Sequence, residues 1–135
     1  MSECRVVFER RPFEPWVTLR SEEFVYHLPV ECSVVTKVFP FVITKRHLSI
    51  LETDPERFYF LFALLHHAYQ MRNPAAAPDT DANFDRILFE PEPKVEKFLD
   101  QADAVSNGAI SAHVSRLTGR DLGSLGQGQW FKCRN

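Results

Sequence analysis

The first 107 residues of this 135-residue chain contain no glycine, and all five glycines lie at Gly108 or later. Turns in that long stretch must use Pro, Asn, Asp and Ser, the other residues that favour a reversal of the chain. The nine prolines lie between Pro12 and Pro93 and follow no period, which excludes collagen-like and low-complexity structure. We expect one domain over residues 1–135, whose glycine-rich C-terminal segment at 119–128 forms a loop.

Long apolar runs are also absent. The longest covers residues 58–65, and its eight residues are far fewer than the roughly 20 that span a membrane. Charged side chains occupy the N-terminal positions where a secretory signal needs an apolar core. Cys4, Cys32 and Cys133 are too few and too widely spaced for a disulfide framework. These absences predict a cytoplasmic protein with free thiols that does not enter a membrane.

An excess of basic charge is missing as well. Sixteen basic and eighteen acidic residues give a net charge of −2, which argues against strong non-specific binding of nucleic acid. The charges are unevenly spread. Residues 51–107 carry eleven acidic and five basic side chains, whereas residues 108–135 carry one and four. The middle of the chain is therefore predicted to form an acidic surface, and the C-terminal part a small basic one.

The first third of the chain is rich in β-branched and aromatic residues, which favour strands. Four strands are predicted, at residues 5–10, 16–20, 24–31 and 33–44. Pro40 lies inside the fourth and should mark a bulge or a sheet edge, since proline cannot donate to a strand ladder.

Helical patterns follow. Thr53-Asp54-Pro55-Glu56 reads as a capping box with Thr53 as the N-cap of a helix at 54–72. That helix is apolar nearly all round, a property that suits either a core or a dimer interface, so both alternatives stay open. The remaining patterns predict helices at 45–51, 91–103 and 109–117 and strands at 84–90 and 129–134. Strands followed mostly by helices predict an α+β fold, with an N-terminal antiparallel sheet of about four strands packed against the long helix and two shorter C-terminal helices.

One acidic motif has the spacing of a calcium loop. Asp79, Asp81, Asn83, Asp85 and the twelfth residue, Glu90, stand where an EF-hand places its oxygen ligands, and the segment resembles one over twelve residues. Its sixth position requires glycine for a sharp turn, but Phe84 occupies it. The alternative interpretation is an acidic segment without metal.

A second motif resembles a helix-turn-helix. Ala104, Gly108 and Val114 have the spacing of the alanine in the first helix, the glycine in the turn and the aliphatic residue in the recognition helix. This alternative is a DNA-binding regulator that uses residues 94–120. The side chains that would meet DNA are Ser111, Arg116 and Arg120.

No catalytic or cofactor motif is evident. His66 and His67 are adjacent, so on a helix they point about 100° apart and cannot both hold one ion. His27, His47 and His113 are isolated, and no paired metal-ligand spacing occurs, so we expect no metal and no cofactor. A small enzyme whose site is assembled only in space is a further alternative. It predicts a deep pocket that holds residues with perturbed pKa values.

The remaining signal is an acidic surface between residues 79 and 103, where eight acidic side chains face three basic ones. Such a surface suits docking onto a basic protein. In size, charge and lack of an active-site motif, the chain resembles bacterial toxin-immunity proteins. The resemblance implies a non-catalytic protein that binds and neutralises a cognate, basic toxin such as a nuclease. The predicted partner-binding residues are Asp79, Asp81, Asp85, Glu90, Glu92, Glu96, Asp100 and Asp103.

Overall fold

The computed structural model describes residues 4–32, 34–70 and 80–131. Four strands come first: β1 (Arg5–Glu9), β2 (Trp16–Arg20), β3 (Glu23–Cys32) and β4 (Val35–Ile43). Within the described ranges, six helices follow: α1 (Lys45–Thr53), α2 (Pro55–Gln70), α3 (Thr80–Phe89), α4 (Glu92–Val105), α5 (Ala109–Thr118) and α6 (Leu122–Gly126). The predicted α+β fold, with its N-terminal four-stranded sheet, is confirmed.

The sheet is an antiparallel meander in the order β1-β2-β3-β4. Each strand pairs with its neighbour in sequence, so every connection is short. Arg20 pairs with Glu23 across a two-residue turn, in which Ser21 and Glu22 have φ angles of 49° and 69°. Two positive φ angles define the type I′ turn, whose twist matches that of the flanking strands. Pro40 lies in β4, an edge strand, as its missing N–H requires.

The core lies between one face of the sheet and α2. Tyr26, Leu28 and Val30 alternate along β3, and each is 0% exposed. Helix α2 packs against this strand and also contacts α1, α3 and α5. All eight residues from 58 to 65 are buried in consequence. The apolar side chains on all sides of α2 are thus buried within the core of a single chain.

The predicted strand at 84–90 is wrong, because these residues belong to α3 and its end. The short apolar run there fits both periods. Phe84, Ile87 and Leu88 recur at positions i, i+3 and i+4, and all three are buried on one helical face. Helical burial of these residues against α2 and α1 replaces the predicted strand pairing.

The same segment has the ligand spacing of a calcium loop in its sequence. Residues 80–89 form a helix, so the ligand spacing of an EF-hand loop is not realised there. Asp79 lies outside the described residues. Among the residues that the structure does describe, no group of His, Cys, Asp and Glu side chains is arranged to hold a metal ion.

Two helix boundaries also differ from prediction. The N-cap of α2 is Asp54 rather than Thr53, since Asp54 Oδ1 accepts a hydrogen bond from the backbone N–H of Arg57 at 3.1 Å. Thr53 ends α1, one residue earlier. The glycine-rich segment is not a continuous loop, because it contains α6, whose N-terminus is capped by the carboxylate of Asp121. Residues 129–131 form no strand, and the rest of the predicted strand at 129–134 lies outside the described residues.

Candidate functional site

A cavity opens where the strands of the sheet differ in length. Strand β3 has ten residues and β2 has five, and their pairing ends at Trp16 and His27. Beyond that pair, α2 partners the backbone of β3. The N–H of Glu31 donates to His66 Nε2 at 3.4 Å, and Gln70 Nε2 donates to the carbonyl of Glu31 at 3.0 Å. Pro29 has no N–H to satisfy. Helical side chains thus satisfy part of the strand edge that β2 leaves uncovered.

The cavity has a volume of about 750 Å³. Its walls are the part of β3 beyond its pairing with β2, the C-terminal half of α2, α5 and the connection between β1 and β2. Polar and apolar side chains line it together. The side chains that line it include Phe13, Pro29, Phe62, His66, His67, His113, Arg116, Leu117 and Leu122.

Two histidines from different helices meet in this cavity. The ring centroids of His66 on α2 and His113 on α5 are 4.7 Å apart, and both rings contact the ring of Phe62. Burial lowers the pKa of His113 to about 4, an effect to which His66 and Arg116 contribute. Burial also lowers the pKa of His66, while Glu31 opposes the shift and Arg116 and His67 add to it. Both imidazoles are therefore neutral at pH 7.

The hydrogen bond from Glu31 fixes the tautomer of His66. Because His66 Nε2 accepts that bond, the ring proton of the neutral imidazole resides on Nδ1. Protonation of Nε2 would break the bond and leave a backbone N–H without its acceptor. The hydrogen bond and the burial of the ring thus favour the same neutral state.

An exposed phenylalanine stands at the rim of the cavity. Phe13 is 91% exposed and has a φ angle of 67°, in the left-handed region that bulky side chains avoid. The chain on either side of it is held firmly. Arg10 donates to the carbonyl of Leu51 at 2.7 Å, and the buried carboxylate of Glu14 accepts a hydrogen bond from Tyr59 at 2.8 Å. Two internal anchors therefore hold a strained loop that presents an aromatic ring to solvent.

Only some carboxylates of the predicted acidic surface are available to a binding partner, because others have partners within the chain. Three of its carboxylates have structural partners: Glu96 accepts from the N–H of Phe131 at 3.1 Å, Asp100 from the indole of Trp130 at 2.8 Å, and Asp103 from the N–H of Ser111 at 2.7 Å. Asp85 contacts His47 at 2.7 Å but keeps a side chain that is 63% exposed. Glu90 and Glu92 are half-buried, Asp81 lies in the first turn of α3, and Asp79 is outside the described residues.

The residues of the helix-turn-helix alternative are not presented together. Helices α4 and α5 do form at the predicted places, but Ser111 is buried. Arg120 donates to the carbonyls of Gln129 and Trp130 and pairs with Glu56 at 3.3 Å. Arg116 alone of the three is exposed, and it lines the cavity.

Comparison of the chain with protein-family models, with curated protein sequences and with solved structures gave no significant match. In the described ranges, no helix is both long and apolar enough to cross a bilayer.

Proposed function

We propose that this chain is a non-catalytic protein-binding domain that neutralises a cognate bacterial toxin. The observation that carries the proposal is Phe13, a large aromatic side chain almost fully exposed on an anchored loop. The exposed ring contributes no buried surface to stability, and the left-handed backbone costs of the order of 1–3 kcal/mol. Strain that is retained at an exposed residue indicates a function for that residue. Aromatic side chains that become buried on binding contribute much of the binding energy of protein interfaces.

The surroundings of Phe13 suit an interface. Leu122 lines the same cavity and is 50% exposed, so apolar surface surrounds a concave site. The loop is already held in shape, which reduces the entropy lost when a partner binds. A protruding ring beside a cavity offers a partner both an anchor to receive and a recess to fill.

The acidic segment retains a second role in this proposal. Eight acidic and three basic residues between 79 and 103 attract a basic partner at long range, which raises the association rate more than the final affinity. Charge reversal at Glu96 or Asp100 is unsuitable as a test, because both carboxylates hold the C-terminal residues Trp130 and Phe131. Glu92, a half-buried residue in the first turn of α4, is the appropriate position, whereas Asp85 is excluded by its 2.7 Å contact with His47.

The test is affinity capture with matched variants. Tagged wild-type protein, Phe13→Ser and Val42→Ser are expressed in the native host and captured at moderate salt. Val42 is 63% exposed on β4, where it lines no part of the cavity, and controls for the loss of any exposed apolar side chain. We expect one basic protein in stoichiometric amount with the wild type and with Val42→Ser, and at least about tenfold less with Phe13→Ser, the loss of a typical aromatic anchor.

The proposal also requires that the wild-type chain neutralise the captured protein. Its activity, measured after purification, should be blocked by the wild type and by Val42→Ser at equimolar concentration and be spared by Phe13→Ser. Capture of DNA alone, capture of nothing, or equal neutralisation by all three proteins would each contradict the proposal.

The histidine-lined cavity favours a second candidate function, that of a small enzyme, because neutral imidazoles in a cleft are suited to general acid–base catalysis. Its sign would be turnover of a simple ester or phosphodiester by the purified protein alone. That activity would be lost in His113→Gln and kept in Phe13→Ser, the reverse of the pattern expected for a protein-binding domain.

A further inference from the structure

Two hydrogen-bond donors in the cavity have no partner within the described parts of the chain. His113 and Arg116 lie one helical turn apart on α5, and both line the cavity. His113 contacts the rings of Phe62 and His66, but neither it nor Arg116 forms a hydrogen bond or ion pair with any described residue. Other polar groups nearby are already used: Ser115 donates to the carbonyl of Arg120, and Gln70 to that of Glu31.

The charges that face His113 and its neighbour His66 come from three elements. Arg116 on α5 and the protonated form of His66 on α2 repel an imidazolium at His113. On the sheet side, Glu31 acts on His66 and favours its charged form. The other carboxylate of the lining, Glu14, accepts from Tyr59 and lies 3.9 Å from Arg11. A negative group placed beside Arg116 would offset its charge and allow His113 to take up a proton.

We propose that this cavity binds a small organic oxyanion, a phosphate or a carboxylate, with Arg116 and His113 as its donors. Arginine and histidine provide charge-assisted hydrogen bonds to such groups. Phe62, Pro29 and Leu117 offer apolar surface to the rest of the molecule. The volume of about 750 Å³ lies within the range of sites for small organic ligands. This site shares its cavity with the protein-binding function proposed above, but it depends on Arg116 and His113 rather than on Phe13.

The experiment is a titration of the full chain followed by NMR of the histidine ring protons. The probes are phenyl phosphate, benzoate and benzylamine, which share an aromatic ring and differ in charge. We expect phenyl phosphate, benzoate or both to raise the pKa of His113, and benzylamine to leave it unchanged. A response to one anion identifies the class of oxyanion, and a response to both identifies the shared chemistry.

Two variants locate the site. Arg116 is exposed, so Arg116→Gln should fold normally and weaken binding of the anion by about tenfold, the effect of one lost charged hydrogen bond. Arg86→Gln removes an exposed arginine that packs over Phe98 on another helix, and should bind as the wild type does. The proposal is overturned if neither anion changes His113 at millimolar concentration, if benzylamine changes it equally, or if Arg116→Gln binds as tightly as the wild type.

Discussion

His113 is a residue whose protonation opposes folding. Burial, His66 and Arg116 lower its pKa to about 4, whereas an imidazole in an unfolded chain titrates near 6.5. Between these two values the unfolded chain holds a proton that the folded protein does not. The free energy of unfolding therefore falls as the pH is lowered through this range, by up to about 1.4 kcal/mol per pH unit for one full proton. Above pH 6.5 this contribution to stability is fully present.

A comparison of unfolding free energies at pH 7 and pH 5 tests this linkage. We expect His113→Gln to lose less stability than the wild type over that interval, because its side chain does not titrate. Ile87→Val is the control, since it removes a buried methyl group from a residue that does not line the cavity. It should be less stable at both pH values and keep the dependence of the wild type. An unchanged dependence in His113→Gln would show that the linkage lies elsewhere.

The meeting of His66 with His113 could not be predicted from the sequence. The two residues are far apart along the chain, and neither has a neighbour with metal-ligand or catalytic spacing. Only the packing of α5 on α2 brings them together. A weak local signal existed, because Phe62 and His66 lie four residues apart and share a face of the predicted helix. The hydrogen-bond partners of Glu96 and Asp100 could not be predicted for the same reason, since Phe131 and Trp130 are 35 and 30 residues away.

At the scale of the elements, the absence of early glycine has a visible structural cost. In the part of the chain that the structure describes, four non-glycine residues adopt positive φ angles: Phe13, Ser21, Glu22 and Asn107. Ser21 and Glu22 form the β2–β3 turn, a place where hairpins prefer Asn-Gly. The left-handed conformation costs a residue with a Cβ atom roughly 1–2 kcal/mol.

Glycine at the second turn position should therefore stabilise the sheet. We expect Glu22→Gly to raise the free energy of unfolding by about 1 kcal/mol, measured by chemical denaturation. Glu23→Gly, one residue later and inside β3, is the matched control and should lower it by about 0.5–1 kcal/mol. Equal effects of the two substitutions would show that the turn carries no strain.

Elements with a single consistent pattern were predictable, and those with competing patterns were not. The β-branched and aromatic runs located all four strands, and the spacing in α2 located the central helix. The sequence predicts a strand at 84–90 because Ile87, Leu88 and Phe89 form a short apolar run that suits either period. Phe84 completes the helical spacing with Ile87 and Leu88, and its ring centroid lies 5.0 Å from that of Tyr26 in the core.

For the whole molecule, the arrangement predicts where stability is greatest. Strand β3 is paired with both β2 and β4 from Phe24 to His27, and α2 is covered by the sheet and three helices. Strand β4 lies at an edge, with Val38 46% exposed and Val42 63% exposed. Native-state hydrogen exchange should therefore be slowest for the amides of residues 58–65 and the central part of β3, and faster for the outward-facing amides of β4. Protection of the β4 edge equal to that of α2 would indicate that another chain pairs with this strand.

The nearest-neighbour order of the strands has a consequence for biosynthesis. All pairing partners of the sheet have been made once Ile43 is added, but α2, which covers the apolar face of β3, is complete only at Gln70. At about 5–20 residues per second, the ribosome needs a few seconds to add that stretch. During this interval the nascent chain contains all four strands of the sheet but not the complete α2 helix that covers its apolar face. The speed of synthesis between Ile43 and Gln70 therefore sets how long the side chains of Tyr26, Leu28 and Val30 remain exposed to non-native contacts.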